Sequence, residues 1–346
     1  MPVDAGLASL SDNLLLGALA MYALAMFGYT VEYSFGRRDA APAKKVRKVR
    51  VLAGAGGPDQ VEEPVADVET PEQALARLTE PPPASRPADG GRAALFGRFG
   101  LLATVIGVLL QIGCLTARGF AANRAPFGNM YEFVSAVCVV GVVAWLVLAV
   151  RRPVRHLGVF VMAVVLMMLG IAGSLLYAEA APLMPALNSY WKEIHVPTMV
   201  GASGIFMVGF VTASLYLIRQ RYDARLADGK ALRFPITLGP RLPEAATLER
   251  LTFRLHAIAF PIWTVGIILG ALWAEAAWSR YWGWDPKETW AFVSWVVYAA
   301  YLHARATAGW RGRRAAWIAM LGWATMMVNL FAINLVTSGL HSYSGV

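Results

Sequence analysis

The chain is predicted to be an all-α polytopic membrane protein with about eight transmembrane helices and both termini extracytoplasmic. Of its 346 residues, 57% are hydrophobic and 15% charged, against about 25% charged in a soluble globular protein. That balance excludes an ordinary water-soluble enzyme. The apolar residues also fall in blocks of about twenty with almost no charge inside them, the length of helix that crosses a hydrocarbon core about 30 Å thick. The basic residues, finally, are distributed very unevenly between alternate loops.

Hydropathy places the spans at 14–32, 96–116, 133–150, 157–177, 196–218, 258–278, 291–304 and 315–337. One set of alternate loops holds 26 of the 31 Lys and Arg residues, and the other holds only Arg118, Arg124, Lys192, Arg280 and Lys287. Cytoplasmic loops accumulate such residues, so four loops face inward and both termini outward. The net charge of +9 is therefore a signal of topology in a lipid bilayer and not the footprint of a nucleic-acid partner.

The first span, within residues 1–35, follows an acidic N-terminus (Asp4, Asp12) without Lys or Arg, so it reads as a retained helix and not a cleaved leader. Residues 36–95 begin basic (Lys44, Lys45, Arg47) and turn acidic and proline-rich (Glu62, Glu63, then Pro81, Pro82, Pro83). Such a composition cannot bury a core and predicts a disordered cytoplasmic linker, with one short helix near 72–78. Residues 96–346 hold the other seven spans. Within them, 243–255 is amphipathic, with Leu248, Leu251 and Leu255 on one face, and is expected to lie along the inner interface. Cys114 and Cys138 lie inside spans, outside any C-x-x-C, and read as small packing residues.

The chemistry concentrates in the outer loops. His195 and His341 are expected there, His303 lies in the seventh span toward the cytoplasmic side, and His156 and His256 sit at inner ends. Neutral imidazole is a common ligand for haem iron, which makes the outer pair a candidate bis-histidine site. The loop between spans six and seven holds Trp273, Trp278, Trp282, Trp284 and Trp290, five tryptophans in eighteen positions. An interfacial belt accounts for one or two of them. Trp278 and Trp282, four apart, would share a helix face, while Gly283 and Asp285-Pro286 favour a turn. A shelf of aromatic rings suits a large flat apolar ligand such as a porphyrin. Trp191, four residues before His195, would stack where His195 ligates. Anionic propionates need cationic partners, and Arg124, Arg280 and Lys287 are the candidates, Arg124 first. Glu132 and Asp285 read as caps or ion-pair partners at helix ends.

The segment Trp282-Gly-Trp-Asp-Pro-Lys-Glu-Thr-Trp-Ala-Phe292 resembles the tryptophan-rich WWD signature of haem-handling proteins in cytochrome c maturation. With Ser189-Tyr-Trp-Lys-Glu-Ile-His195, Tyr301-Leu-His303, Gly339-Leu-His341-Ser-Tyr343 and Pro126-Phe-Gly-Asn-Met-Tyr-Glu-Phe133, the chain from Phe96 to Val346 is similar to the CcsA/ResC family of system II, whose actinobacterial members are often named CcsB. The resemblance implies that His195 and His341 are axial ligands of haem b, flanked by Trp278, Trp282, Trp284, Asp285 and Trp290, and that His303 helps haem cross from the inside. It implies a multi-pass protein of the cytoplasmic membrane that transports haem and presents it outside. There haem would be attached to the C-x-x-C-H of an apocytochrome c, with a ResB-type membrane protein as partner in a cytochrome c synthetase (haem lyase) complex. The sequence departs from the family pattern in its long linker, in Ser279 where glycine is common, and in His256, which has no family counterpart. Two alternatives remain open: a fixed haem protein passing electrons, and a transporter of another solute with the tryptophans as a girdle.

Overall fold

The computed structural model describes residues 3–36, 88–183, 187–307, 310–337 and 339–340, and among them every regular element is helical. The helices are α1 (Ala5–Phe35), α2 (Ala88–Ala121), α3 (Met130–Arg151), α4 (Gly158–Leu175), α5 (Tyr190–Ala227), α6 (Ala245–Trp278), α7 (Pro286–Ala306) and α8 (Arg313–Val336). Seven of them are long and apolar enough to cross a membrane. The eighth expected span forms as α7, whose Lys287, Glu288, His303 and Arg305 lower its hydropathy. Its 21 residues reach about 31 Å and run the length of the bundle beside α6 and α8.

Several helices outrun their predicted spans. α5 has 38 residues and α6 has 34, about 57 and 51 Å of helix, because hydropathy measures the hydrocarbon slab and not the helix that emerges from it. The amphipathic stretch before span six is corrected on these grounds: it is not a separate interfacial helix but the first turns of α6, with Leu248, Leu251 and Leu255 buried. α2 likewise begins at Ala88, inside the segment assigned to the linker. The rest of that linker, 37–87, with its expected short helix, lies outside the described residues.

Polar side chains tie the helices together inside the bundle, where no water competes for them. Tyr22 of α1 donates to Gln111 Oε1 of α2 at 2.6 Å, and Gln111 Nε2 donates to the Ser135 carbonyl of α3 at 3.0 Å. Tyr29 and Thr104 join α1 to α2 again, 2.9 Å apart. Cys114 and Cys138 are buried free thiols, and Cys114 Sγ lies 3.4 Å from the Ser11 hydroxyl of α1.

The two ends of the bundle differ. At one end the Asp4 amide donates to the Ala121 carbonyl, and Leu340 is held near the start of α7, so both described ends of the chain lie there. At the opposite end Arg155 pairs with Glu32, Arg305 with Glu249, and Arg241 donates to the Ser34 carbonyl.

Candidate ligand-binding site

A cavity opens at the end that carries both chain ends. The space between its walls, open solvent at the mouth included, is about 1270 Å³. Its wall is built from the first turns of α3, α5 and α7 and the last turns of α6 and α8. On α5, Lys192, His195, Val196, Met199 and Ser203 face it, the three-and-four spacing of one helical face. On α6, Trp263, Ile267, Gly270, Ala274 and Trp278 do the same.

His195 was expected in an outer loop, on a short interfacial helix shared with Trp191. The structure instead carries it on α5, because the helix starts at Tyr190 and runs through Pro197 without a break. Its Nδ1 lies 2.8 Å from the Gly266 carbonyl. A carbonyl only accepts, so Nδ1 bears the proton and Nε2 is left as the nitrogen with the lone pair. The ring packs on Gly270, where a Cβ would sit 2.8 Å from His195 Cε1, and lies 5.7 Å from the Trp273 ring.

The tryptophan-rich turn is fixed by its own backbone. α6 ends after Trp278 because Ser279 adopts φ +56, ψ +34, a left-handed cap of the kind glycine favours. The expectation that Trp278 and Trp282 share a helix face is therefore corrected: Trp282 stands in the turn, although both rings still line the cavity. Asp285 caps α7 in a capping box with Glu288, and Pro286 occupies the first turn. Glu288 Oε2 reaches back to the Gly283 and Asp285 amides at 2.9 and 3.2 Å, and Arg280 lies 3.4 Å from its other oxygen. Asp285 Oδ1 also accepts from the Leu340 amide at 2.8 Å, which fastens the chain immediately before His341 to the tryptophan turn. His341 itself lies outside the described residues.

The expected site residues divide in two. His195, Trp278, Trp282 and Lys287 line the cavity, and Trp273, near them in sequence, joins the wall. Trp191 instead packs edge-on against Tyr190 at 5.7 Å, outside the cavity wall. Trp284 is 66% exposed and stands in an aromatic row with Trp282 and Phe292; Trp290 is half-buried and also outside the wall. His303, in the last turn of α7, faces outward and is exposed. Arg124, first choice for a propionate, is committed elsewhere: its guanidinium meets Glu132 at 2.7 and 2.9 Å and the Ala181 carbonyl at 2.8 Å. The sequence reading passed over Lys192 and Asn329, both of which line the cavity. The signal for Lys192 was its position three residues before His195 on the same helical face.

Among the described residues there is no cluster of three or more His, Cys, Asp or Glu side chains able to hold a metal ion. The fold and the cavity thus define a multi-pass helical membrane protein with an aromatic-walled binding chamber at one end. Residues 127–341 match the model of the cytochrome C assembly protein family, and the chain belongs to that family. It is 33% identical over 303 residues to the cytochrome c biogenesis protein CcsA of Gloeobacter violaceus, covering 73% of this chain and 88% of that one. The CcsA of Synechococcus sp. is 35% identical over 291 residues, 70% and 84% of the two chains. Among solved structures, the cytochrome c heme lyase CcmF superposes with a TM-score of 0.53 at 16% identity, over 96% of this chain and 47% of that one. The chain spans about half the length of that protein, and the likeness is one of fold.

Proposed function

We propose that this cytochrome c assembly protein carries haem b across the cytoplasmic membrane as its substrate and presents it at the outer face for covalent attachment to a C-x-x-C-H apocytochrome. A single observation carries the reading: His195 sits on the wall of a chamber lined by Trp273, Trp278 and Trp282, and Asp285 anchors the residues just before His341 to the same tryptophan turn. The donor set fits the cargo. An imidazole with its Nδ1 proton held by a carbonyl offers Nε2 to iron, and indole faces suit a porphyrin plane.

In this reading the chain's own residues orient haem and control access to its edge, and the thioether chemistry belongs to the porphyrin and the incoming thiols. His341 supplies the second axial nitrogen. His303, on the exposed face of α7, serves a separate, inner stop that a ResB-type partner completes. One haem cannot meet both His195, at the start of α5, and His303, at the far end of α7.

The test is the absorption spectrum of the purified chain. Wild type is expected to show a six-coordinate haem band that His195→Gly and His341→Gly each lose or displace and that added imidazole restores. Unchanged spectra in both variants overturn the assignment. A fixed electron-transfer haem is the second reading. It draws support from the helical location of His195, since such haems are held by histidines on facing helices. The two readings part on transfer: a carrier loses its haem to a C-x-x-C-H peptide in the presence of its partner, and a fixed centre retains it.

A further inference from the structure

Three charged side chains line the chamber: Lys192, Lys287 and Glu288. Glu288 is committed to the Gly283 and Asp285 amides and to Arg280. The remaining charges are both ammonium groups. Lys192 has 0% exposure, and its Nζ meets Glu193 Oε1 at 2.9 Å, a carboxylate 41% exposed. That contact lacks hydrogen-bond geometry, so the ammonium is buried without a hydrogen-bonded acceptor. Lys287 Nζ lies 2.7 Å from Asn334 Oδ1, a neutral partner, and 3.8 Å from Met130 Sδ. On the same wall, Asn329 is 7% exposed, and its Oδ1 has no hydrogen-bond partner.

A buried ammonium without a well-bonded anion is costly, and a buried amide is expected to be satisfied. The buried Lys192, whose one anion is a part-exposed carboxylate, the part-buried Lys287 with its neutral partner, and an unsatisfied amide thus stand on one largely apolar and aromatic wall, a set that an anionic ligand would complete. The first turns of α5 and α7, where the lysines stand, add the positive ends of two helix dipoles. The ligand they describe has a broad apolar body and carboxylates at its edge.

We infer that Lys192 and Lys287 form the carboxylate-recognition subsite of the chamber, holding the two propionates of the porphyrin and thereby setting which edge of the ring faces the incoming thiols. This rests on the haem-presenting reading above. It keeps Lys287 among the sequence-derived candidates, sets aside Arg124, whose donors are spent on Glu132, and adds Lys192, which lines the chamber itself. The two cations also fix orientation: with the propionates at Lys192 and Lys287, the opposite edge, which bears the vinyl groups, is turned away from them.

The experiment compares iron protoporphyrin with its dimethyl ester, in which both carboxylates are capped, by absorbance titration of the full-length chain in detergent. Wild type is expected to bind the ester about tenfold or more weakly than the diacid, the usual scale for losing a hydrogen bond to a charged group. Lys192→Met and Lys287→Met are each expected to weaken diacid binding and to bring the ratio of the two affinities toward one, and Lys192→Arg to restore most of it. Equal affinity of wild type for acid and ester overturns the inference while leaving the haem reading intact, and this arm needs no variant to fold. Full discrimination retained in both methionine variants overturns it as well. Failure of wild type to bind either porphyrin removes the haem reading and the inference with it.

Discussion

Glu132 has lost all contact with solvent, yet it stays satisfied, because Arg118 Nε and both Arg124 terminal nitrogens meet it at 2.7 to 2.9 Å and the Gly128 amide at 2.7 Å. The same two arginines donate to the Ala178 and Ala181 carbonyls, so one carboxylate organises the loops at the chamber end between α2 and α5. Removing one partner of a buried pair leaves the other charge uncompensated, at about 3–5 kcal/mol. Glu132→Ala is therefore expected to lower the thermal unfolding midpoint in detergent sharply, whereas Glu179→Gln, on an exposed neighbour, is expected to change stability by less than about 0.5 kcal/mol. Ser279 offers the opposite sign. Its φ of +56 costs a residue with a Cβ about 1 kcal/mol, so Ser279→Gly should raise the midpoint by about 2 °C. A lower midpoint would mean that the hydroxyl contributes more than the backbone strain removes. Asp285 holds both the start of α7 and the Leu340 amide; Asp285→Ala is expected to speed hydrogen exchange at Leu340 well before it unfolds the bundle.

At the scale of elements, α1 and α2 approach closely at Gly28. A Cβ on Gly28 would lie 2.7 Å from the Phe96 carbonyl oxygen and 3.0 Å from Gly100 Cα, so backbone meets backbone, as small residues permit between helices in lipid. Nothing flexible can yield there. Gly28→Ala is expected to cost about 1–3 kcal/mol by overpacking, read as a lower midpoint, and Gly28→Leu to part the two helices. Much at this scale was legible beforehand. Each of the eight predicted spans corresponds to a helix, because a charge-free run of twenty apolar residues has few other ways to satisfy its backbone in a bilayer. The helix ends were not, since α5 and α6 continue past the hydrocarbon, where hydropathy carries no information. In the chamber, Trp278, Trp282 and His195 stood out by residue type. Lys192 did not, although it stands three residues before His195, because the wall it shares with Met130, Lys287 and Asn329 of other helices forms only in the folded bundle. The engagement of Arg124 was hidden for the same reason, its partner Glu132 lying at the start of the next helix.

For the whole molecule, the governing quantity is the division of charge between the two ends of the bundle. Alternation of eight helices places Arg118, Arg124, Lys192, Arg280 and Lys287 at the end that holds the chamber, and four of these five form ion pairs there with Glu132, Glu193 or Glu288. Arg155, Arg241 and Arg305 lie at the opposite end, the side to which the sequence assigns the other 26 Lys and Arg residues. Lipid bilayers are crossed with the basic loops retained inside, so the chamber is expected to face outward and the loop after α5 inward. Two single-cysteine variants separate the possibilities, since native Cys114 and Cys138 are buried. Tyr281, 59% exposed, lies in the tryptophan turn, and the Lys230 side chain, 64% exposed, lies beyond α5. With an impermeant maleimide on intact cells, Tyr281→Cys is expected to label at once and Lys230→Cys only after permeabilisation. The reverse pattern would turn the chamber toward the cytoplasm, where an extracytoplasmic apocytochrome could not reach it, and would remove the presenting role whatever the chamber binds. Labelling of both variants from outside would instead mean that α6, which joins the two positions, does not cross the bilayer.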